Sequence, residues 1–221
     1  MESEDRFVDL SHTIESGMIT YKGLPGPVIS DHLTREDSRK HYSEGTEFYI
    51  GKIEMVANTG TYLDSPFHRY AEGNDLSGLS LSSLADLEGV VIHAHKNQRA
   101  VDRDLFQGLN LKQKAVLIHT GWDVHWRTDQ YFEGHPYLTR KVAEFLVQCD
   151  VSLVGIDSYN IDDTADGSRP AHSLLLQAGI PIVEHLCNLQ SLPDHGFRFF
   201  AVPAMVKGFG TFPVRAFAIR N

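Results

Sequence analysis

The sequence has 221 residues and a formal net charge of −9 at pH 7, and a chain of this length folds as one domain with a sizeable core. The acidic residues are scattered and no Lys/Arg cluster is present to neutralise phosphates, so we expect no nucleic-acid partner. The two cysteines, Cys149 and Cys187, lack CxxC spacing and suit the reducing cytoplasm, where we place the protein.

Short strands are predicted along the whole chain. The first segment, MESEDRFVDL, is charged where a signal peptide would be apolar. No apolar run reaches the roughly 18 residues of a membrane span, so we expect no membrane partner. Apolar runs bounded by turn residues predict strands at RFVDLSH (6–12), FYIGKIEMVA (48–57), the end of LSSLADLEGVVIHAH (81–95), KAVLIHTGW (114–122) and VSLVGID (151–157).

Two helices are predicted in the second half. In YLTRKVAEFLVQC the apolar residues recur at helical spacing, and Thr139 is a suitable N-cap residue to start the helix. The segment AHSLLLQAG predicts a second helix that stops at Gly179, and IPIVEHL, after it, reads as a strand. Strands that outnumber interspersed helices indicate a mixed α+β domain.

The stretch NTGTYLDSPFH, residues 58–68, is too polar for a core strand. In an extended chain Asn58, Tyr62 and Asp64 would share one face, as in a pocket wall. Pro66 ends any regular ladder, so His68 is expected on a loop just past the strand. Asp64 could instead bond backbone amides of a turn, and a lone histidine is usually structural.

His172 and Glu184 form a second pair of candidate residues. A helix of about eight residues rises roughly 12 Å and a strand of about five residues returns roughly 16 Å, so a reversal at Gly179 can bring Glu184 back towards His172. The alternative is a plain salt bridge. Imidazole and carboxylate groups are the usual ligands of Zn²⁺ and Mn²⁺, which makes metal binding plausible if these residues meet Asp64.

These residues resemble a known signature. NTGTYLDSPFH is similar to H-x-G-T-H-x-D-x-P-x-H of the cyclase family of metal-dependent hydrolases, which includes bacterial kynurenine formamidase and isatin hydrolase. The resemblance extends through VDLSHTIESGM, LIHTGWD, LVGIDS, the pair His172 and Glu184, and FPVRAFAI, and so covers most of the chain. It implies the swivelling β/β/α fold, assembled as a homodimer or higher homo-oligomer.

The resemblance also implies roles for single residues. Asp64, His172 and Glu184 match the second metal position of the family, and His68 matches the general acid or base. Asn58 and Tyr62 stand where the family has the two histidines of its first metal position. An amide is a weak ligand and a phenol must first lose a proton, so neither suits Zn²⁺.

The departure at Asn58 and Tyr62 indicates one divalent metal, Zn or Mn, with both side chains contacting substrate instead. Tyr21 lies where formamidases of the family place an aromatic residue against the substrate, although the prolines and glycines around it are rearranged. We therefore predict a hydrolase of a small amide, cyclic amide or lactone, spanning 1–221. The alternatives are a binding protein without turnover on a degenerate site, and a metal-dependent lyase or cyclase that uses His68 to remove a proton next to a carbonyl.

Overall fold

The computed structural model describes residues 6–96 and 98–220, so the first five residues of the charged N-terminal segment lie outside it. The helices are α1 (Arg35–Ser38), α2 (Arg140–Gln148) and α3 (Pro170–Gln177). The strands are β1 (Phe7–Asp9), β2 (Val28–Leu33), β3 (Ile50–Glu54), β4 (Tyr62–Asp64), β5 (Leu87–His93), β6 (Ala100–Val101), β7 (Ala115–His119), β8 (Tyr137–Leu138), β9 (Leu153–Ile156), β10 (Ile182–Glu184), β11 (His195–Phe200), β12 (Thr211–Pro213) and β13 (Phe217–Arg220).

One nine-stranded sheet carries the architecture, in the order β1-β13-β11-β5-β7-β9-β10-β4-β12. Its centre, β5-β7-β9-β10, is parallel, and the strands on either side pair antiparallel. Parallel strands are buried on both faces, and β7 shows this. Ala115 and Leu117 belong to one apolar core, whereas Val116 and Ile118 belong to a second core that α2 and α3 cover.

The two predicted helices are confirmed. The Thr139 hydroxyl accepts a hydrogen bond from the Val142 amide and caps α2, as the sequence predicts. Helix α3 begins at Pro170, one residue before the predicted segment, because proline suits the first helical turn. Gly179, at φ 79°, follows its end. Among the described residues, every helix is too short or too polar to cross a bilayer.

The expectation that Asn58 shares one strand face with Tyr62 and Asp64 is wrong. Gly60 has a φ of 67°, and the Thr59 amide donates to the Ala57 carbonyl, so the chain turns before β4 begins at Tyr62. A side chain at Gly60 would also stand 3.0 Å from Ile14. Asn58 therefore reaches its neighbours from a turn, and only Tyr62 and Asp64 share a strand face.

Strands β2 and β3 form a separate two-stranded ribbon. The predicted strand 48–57 is observed as the shorter β3, and nearly all of both strands is solvent-exposed. Ile29 and Ile53 are directly paired across the ribbon and are 41% and 55% exposed. An isolated two-stranded ribbon is only marginally stable in water, and this one presents apolar side chains.

Candidate metal centre

Three neighbouring strands place the polar residues of the centre side by side. In the antiparallel register Thr211 of β12 lies opposite Asp64 of β4, and Glu184 of β10 lies opposite Tyr62. Directly opposed residues point to the same face of a sheet, so these four side chains form one row. The row faces α3, where His172 occupies the third position and closes the centre.

Asp64, His172 and Glu184 converge, as the sequence predicts. His172 Nε2 lies 3.7 Å from Asp64 Oδ2 and 3.7 Å from Glu184 Oε1. Two ligands of one tetrahedral ion, each about 2.1 Å from it, stand about 3.4 Å apart. Asp64 Oδ2 is buried without a hydrogen-bond partner among the described atoms. A buried carboxylate oxygen left unpaired beside an imidazole nitrogen fits a metal ligand set.

A second carboxylate fixes the His172 ring. Asp162 Oδ2 accepts hydrogen bonds from His172 Nδ1 at 2.7 Å and from the His172 amide at 3.0 Å, while Asp162 Oδ1 accepts from the Ala171 amide at 2.6 Å. Asp162 thus accepts hydrogen bonds from two backbone amides in the first turn of α3, and the same carboxylate fixes the orientation of the His172 ring. Nδ1 is the donor, so Nε2 is the atom left to bind an ion, in the arrangement typical of metal-bound histidines.

The carboxylates of the centre favour a positive charge among them. Burial disfavours a charged His172, but Glu184, Asp162 and Asp64 around it raise the pKa of the imidazole to about 10. Burial raises the pKa of Glu184 to about 7, although His172 opposes this shift. Burial also disfavours ionised Asp64, yet His68 and His172 hold its pKa below the usual value. Without an ion, a proton on His172 supplies the positive charge.

His68 lies beside this set, on a short 3₁₀ turn, Pro66–His68, that follows β4. Its Nδ1 is 2.8 Å from the Thr211 hydroxyl oxygen, and that hydroxyl donates to Asp64 Oδ1. Since the hydroxyl proton points to Asp64, the oxygen accepts the Nδ1–H of His68, which leaves Nε2 with a free lone pair. The side chain is 36% exposed and lines the pocket.

One compact group of ligand atoms among the described residues differs from the predicted set. Ligand atoms of Asp64, His68 and His172 all lie within 4.8 Å of one another. Glu184 is outside this group, but its Oε1 lies 3.7 Å from His172 Nε2. The geometry therefore brings together all four residues that the sequence singles out, and it places His68 close enough to compete with Glu184 as a ligand.

Tyr62 is fully buried and its hydroxyl is already engaged. It donates to Glu184 Oε2 at 2.7 Å, and His185 Nε2 lies 3.3 Å from its oxygen. Tyr131 approaches the other nitrogen of His185 at 2.8 Å, which continues the buried network. Burial and the charges of Glu184 and Asp64 raise the pKa of Tyr62 well above its usual value, so it stays a neutral phenol.

A pocket of about 280 Å³ opens onto the centre. The Tyr21 ring stacks on Tyr159, with centroids 4.8 Å apart, and forms part of the wall. All seven predicted site residues except Asp64 line the pocket. The lining consists of Tyr21, Leu24, Asn58, Tyr62, His68, Arg69, Asn160, Arg169, His172 and Glu184.

Sequence reasoning missed Asp162, Thr211 and Arg169. Asp162 precedes the residue it orients by ten positions, and Thr211 lies 147 positions from Asp64, so no local pattern links these pairs. The sequence does contain one indication of the position of Arg169. An arginine directly before the proline that starts a helix is placed at the helix cap, beside the first-turn histidine.

Comparison with known proteins identifies the family of the chain. The Cyclase family model, described as "Putative cyclase", matches residues 8–163. Kynurenine formamidase of Geobacillus thermodenitrificans (strain NG80-2) is 29% identical over 212 residues, which is 95% of each chain.

Solved structures give the same fold. Isatin hydrolase A from Ralstonia solanacearum aligns with a TM-score of 0.81 at 22% identity, covering 98% of this chain and 92% of that chain. Isatin hydrolase A from Labrenzia aggregata, bound to benzyl benzoate, aligns with a TM-score of 0.83 at 21% identity, covering 100% and 96%. These alignments confirm the predicted α+β, swivelling β/β/α fold. With its family model matched over most of its length, the chain belongs to the cyclase family of metal-dependent hydrolases.

Proposed function

We propose that this protein hydrolyses a small amide, cyclic amide or lactone with one divalent metal held by Asp64, His172 and Glu184. The observation that carries the proposal is the unpaired, buried Asp64 Oδ2 facing His172 Nε2, whose opposite nitrogen is fixed by Asp162. Relatives named kynurenine formamidase and isatin hydrolase support carbon–nitrogen bond hydrolysis as the reaction.

The residues at the other metal position support one metal per chain. Asn58 and Tyr62 replace two imidazoles, and the Tyr62 proton is directed at Glu184. One imidazole and two carboxylates form a harder ligand set than three imidazoles, so Mn²⁺ is proposed beside Zn²⁺. When bound, the ion would polarise the substrate carbonyl and lower the pKa of a water molecule.

His68 is proposed as the general acid and base. Its Nδ1–H is held by Thr211, so Nε2 is free to accept a proton from the attacking water. The same nitrogen then returns the proton to the departing amine or alkoxide. Thr211 fixes the ring orientation, because its own proton is committed to Asp64.

The remaining predicted residues are proposed to contact the substrate. Tyr21 supplies an aromatic wall, and Asn58 reaches the pocket from its turn. Tyr62 also lines the pocket, and we propose that it contacts the substrate through its ring, because its hydroxyl orients Glu184.

Metal analysis of the purified protein, paired with a screen of aryl formamides, isatin-like lactams and lactones, tests the proposal. We expect about one Zn or Mn per chain and turnover of at least one amide that is lost on chelation. Metal-free protein that binds such compounds without turnover would support the binding-protein alternative. Metal-dependent elimination without hydrolysis would support the lyase.

We further propose that residues 1–221 form one hydrolase domain in a cytoplasmic homodimer or higher homo-oligomer. Both cysteines are free thiols, which suits a reducing compartment. The apolar ribbon of β2 and β3 supports association with a second copy. Light scattering coupled to gel filtration should show a dimer or larger, and Ile29→Lys with Ile53→Lys should dissociate it.

A further inference from the structure

Arg169 has an unusual backbone conformation at the edge of the metal centre. It caps α3 with φ 46° and ψ 61°, in the left-handed region. This region is unfavourable for a residue with a Cβ, and the following Pro170 disfavours it further. Strained conformations of this kind persist at functional sites, where they aim a side chain. Here the side chain is half-buried and lines the pocket.

Among the residues that the structure describes, the guanidinium of Arg169 makes long hydrogen bonds to two neutral groups. Its Nη1 donates to Asn160 Oδ1 at 3.3 Å and its Nη2 to the Tyr21 hydroxyl at 3.5 Å. Within the described parts of the chain, no carboxylate oxygen lies within 4.0 Å of it. A guanidinium has five donors in a planar fork that matches a carboxylate, so most of its binding capacity remains available.

Asn160 sets the position of this cation relative to the centre. Its side-chain nitrogen lies 3.5 Å from Glu184 Oε2, and its side-chain oxygen accepts from Arg169. The guanidinium is thus one amide group away from the proposed metal ligands and next to the Tyr21 wall. A substrate that places its scissile carbonyl at the ligands can place a neighbouring group at the guanidinium.

We propose that the substrate carries a carboxylate beside the scissile bond, and that Arg169 is the specificity-determining residue that binds it. This inference rests on the proposed function, because it assigns a substrate class to the same pocket. Arg169 binds the carboxylate with two parallel N–H donors, and the strained backbone keeps the fork facing the pocket before substrate arrives.

A matched pair of probes tests the inference. 2-Formamidobenzoate and formanilide share the aryl formamide and differ in one carboxylate. We expect the wild type to prefer 2-formamidobenzoate in kcat/KM, and Arg169→Met to lower this preference about 10- to 100-fold, chiefly through a higher KM for the charged probe. Arg169→Lys should retain part of the preference. Arg140→Met, an exposed arginine on α2, is the control and should leave it unchanged.

Two outcomes of the turnover assay would overturn the inference. Equal losses on both probes in Arg169→Met would mean that the residue only braces the loop before α3. A loss of preference in Arg69→Met, without one in Arg169→Met, would assign the carboxylate to the other arginine of the pocket.

Calorimetry with benzoate and benzamide separates this inference from the proposed function. If the wild type hydrolyses neither formamide nor any lactam or lactone of the screen described above, the proposed function fails. Binding of benzoate at least about tenfold tighter than benzamide, lost in Arg169→Met or reduced in Arg169→Lys, still supports the carboxylate site. If the wild type shows no preference for benzoate, the inference is wrong whether or not turnover occurs.

Discussion

His68→Ala distinguishes between two roles that the geometry allows for this residue, namely general acid or base and metal ligand. The side chain is 36% exposed and, within the described part of the chain, makes one hydrogen bond, to Thr211 at 2.8 Å. Losing one such bond costs about 0.5–1.5 kcal/mol, which in a domain of this size lowers Tm by about 1–6 °C. A general acid or base contributes about 10²–10⁴ in rate, so kcat should fall by that factor.

Metal content is the second measurement on the same variant. Asp64, His172 and Glu184 remain in place, so the affinity for Zn²⁺ or Mn²⁺ should stay within about threefold of wild type. Titration calorimetry on metal-stripped protein and steady-state kinetics on an amide substrate provide the two values. His195→Ala removes an exposed imidazole on β11 and serves as the matched control.

Either measurement can refute the assignment. If His68→Ala keeps at least half of the wild-type kcat, the residue does not transfer the proton. If metal affinity falls more than about tenfold together with kcat, His68 is a ligand, and the compact group Asp64, His68 and His172 is the true metal site.

Three further predictions address the buried residues. His172→Ala and Glu184→Ala should each lower metal stoichiometry from about one per chain towards zero in calorimetry, and retention of wild-type affinity in both would contradict the metal site. Tyr62→His combined with Asn58→His should raise the stoichiometry under saturating Zn²⁺, because two imidazoles would stand beside Asp64; unchanged stoichiometry would mean that the backbone path, with its turn before β4, prevents binding. Burial lowers the pKa of His185 to about 3 from 6.5, so the folded state binds fewer protons than the unfolded state between these values, and the stability that His185 contributes is lost as pH falls. The difference in unfolding free energy between wild type and His185→Gln should therefore shrink by about 1.4 kcal/mol per pH unit below 6.5, measured by urea titration, and a difference independent of pH from 6.5 to 4.5 would refute this.

Local chemistry explains what could be predicted from the sequence. The helix-starting Thr139, the stop at Gly179 and the apolar runs of the parallel strands act within a few residues, so their pattern is visible in one dimension. The meeting of His172 and Glu184 was also predictable, since only a short helix and one turn separate them.

Contacts between distant segments explain what could not be predicted. The pairing of β4 with β12 places Thr211 at Asp64, and nothing near either residue encodes that register. The turn at Gly60 depends on the nearby Ile14 and Thr20 side chains, so a strand pattern over 58–64 was misleading. The ribbon of β2 and β3 contributes no residue to either apolar core, and the sequence of β3 reads as a strand without showing that the strand lies outside the main sheet.

The row of side chains across β12, β4 and β10 has a consequence for how the protein is made. Asp64 meets Thr211 across 147 positions and Tyr62 meets Glu184 across 122, so loop closure over most of the chain must precede assembly of the centre. A nascent chain can form the parallel strands β5, β7 and β9 on the ribosome while Asp64 still lacks its neighbours. The proposed cation site is therefore incomplete until β4 has paired with β10, which brings Asp64 to the strand that carries Glu184.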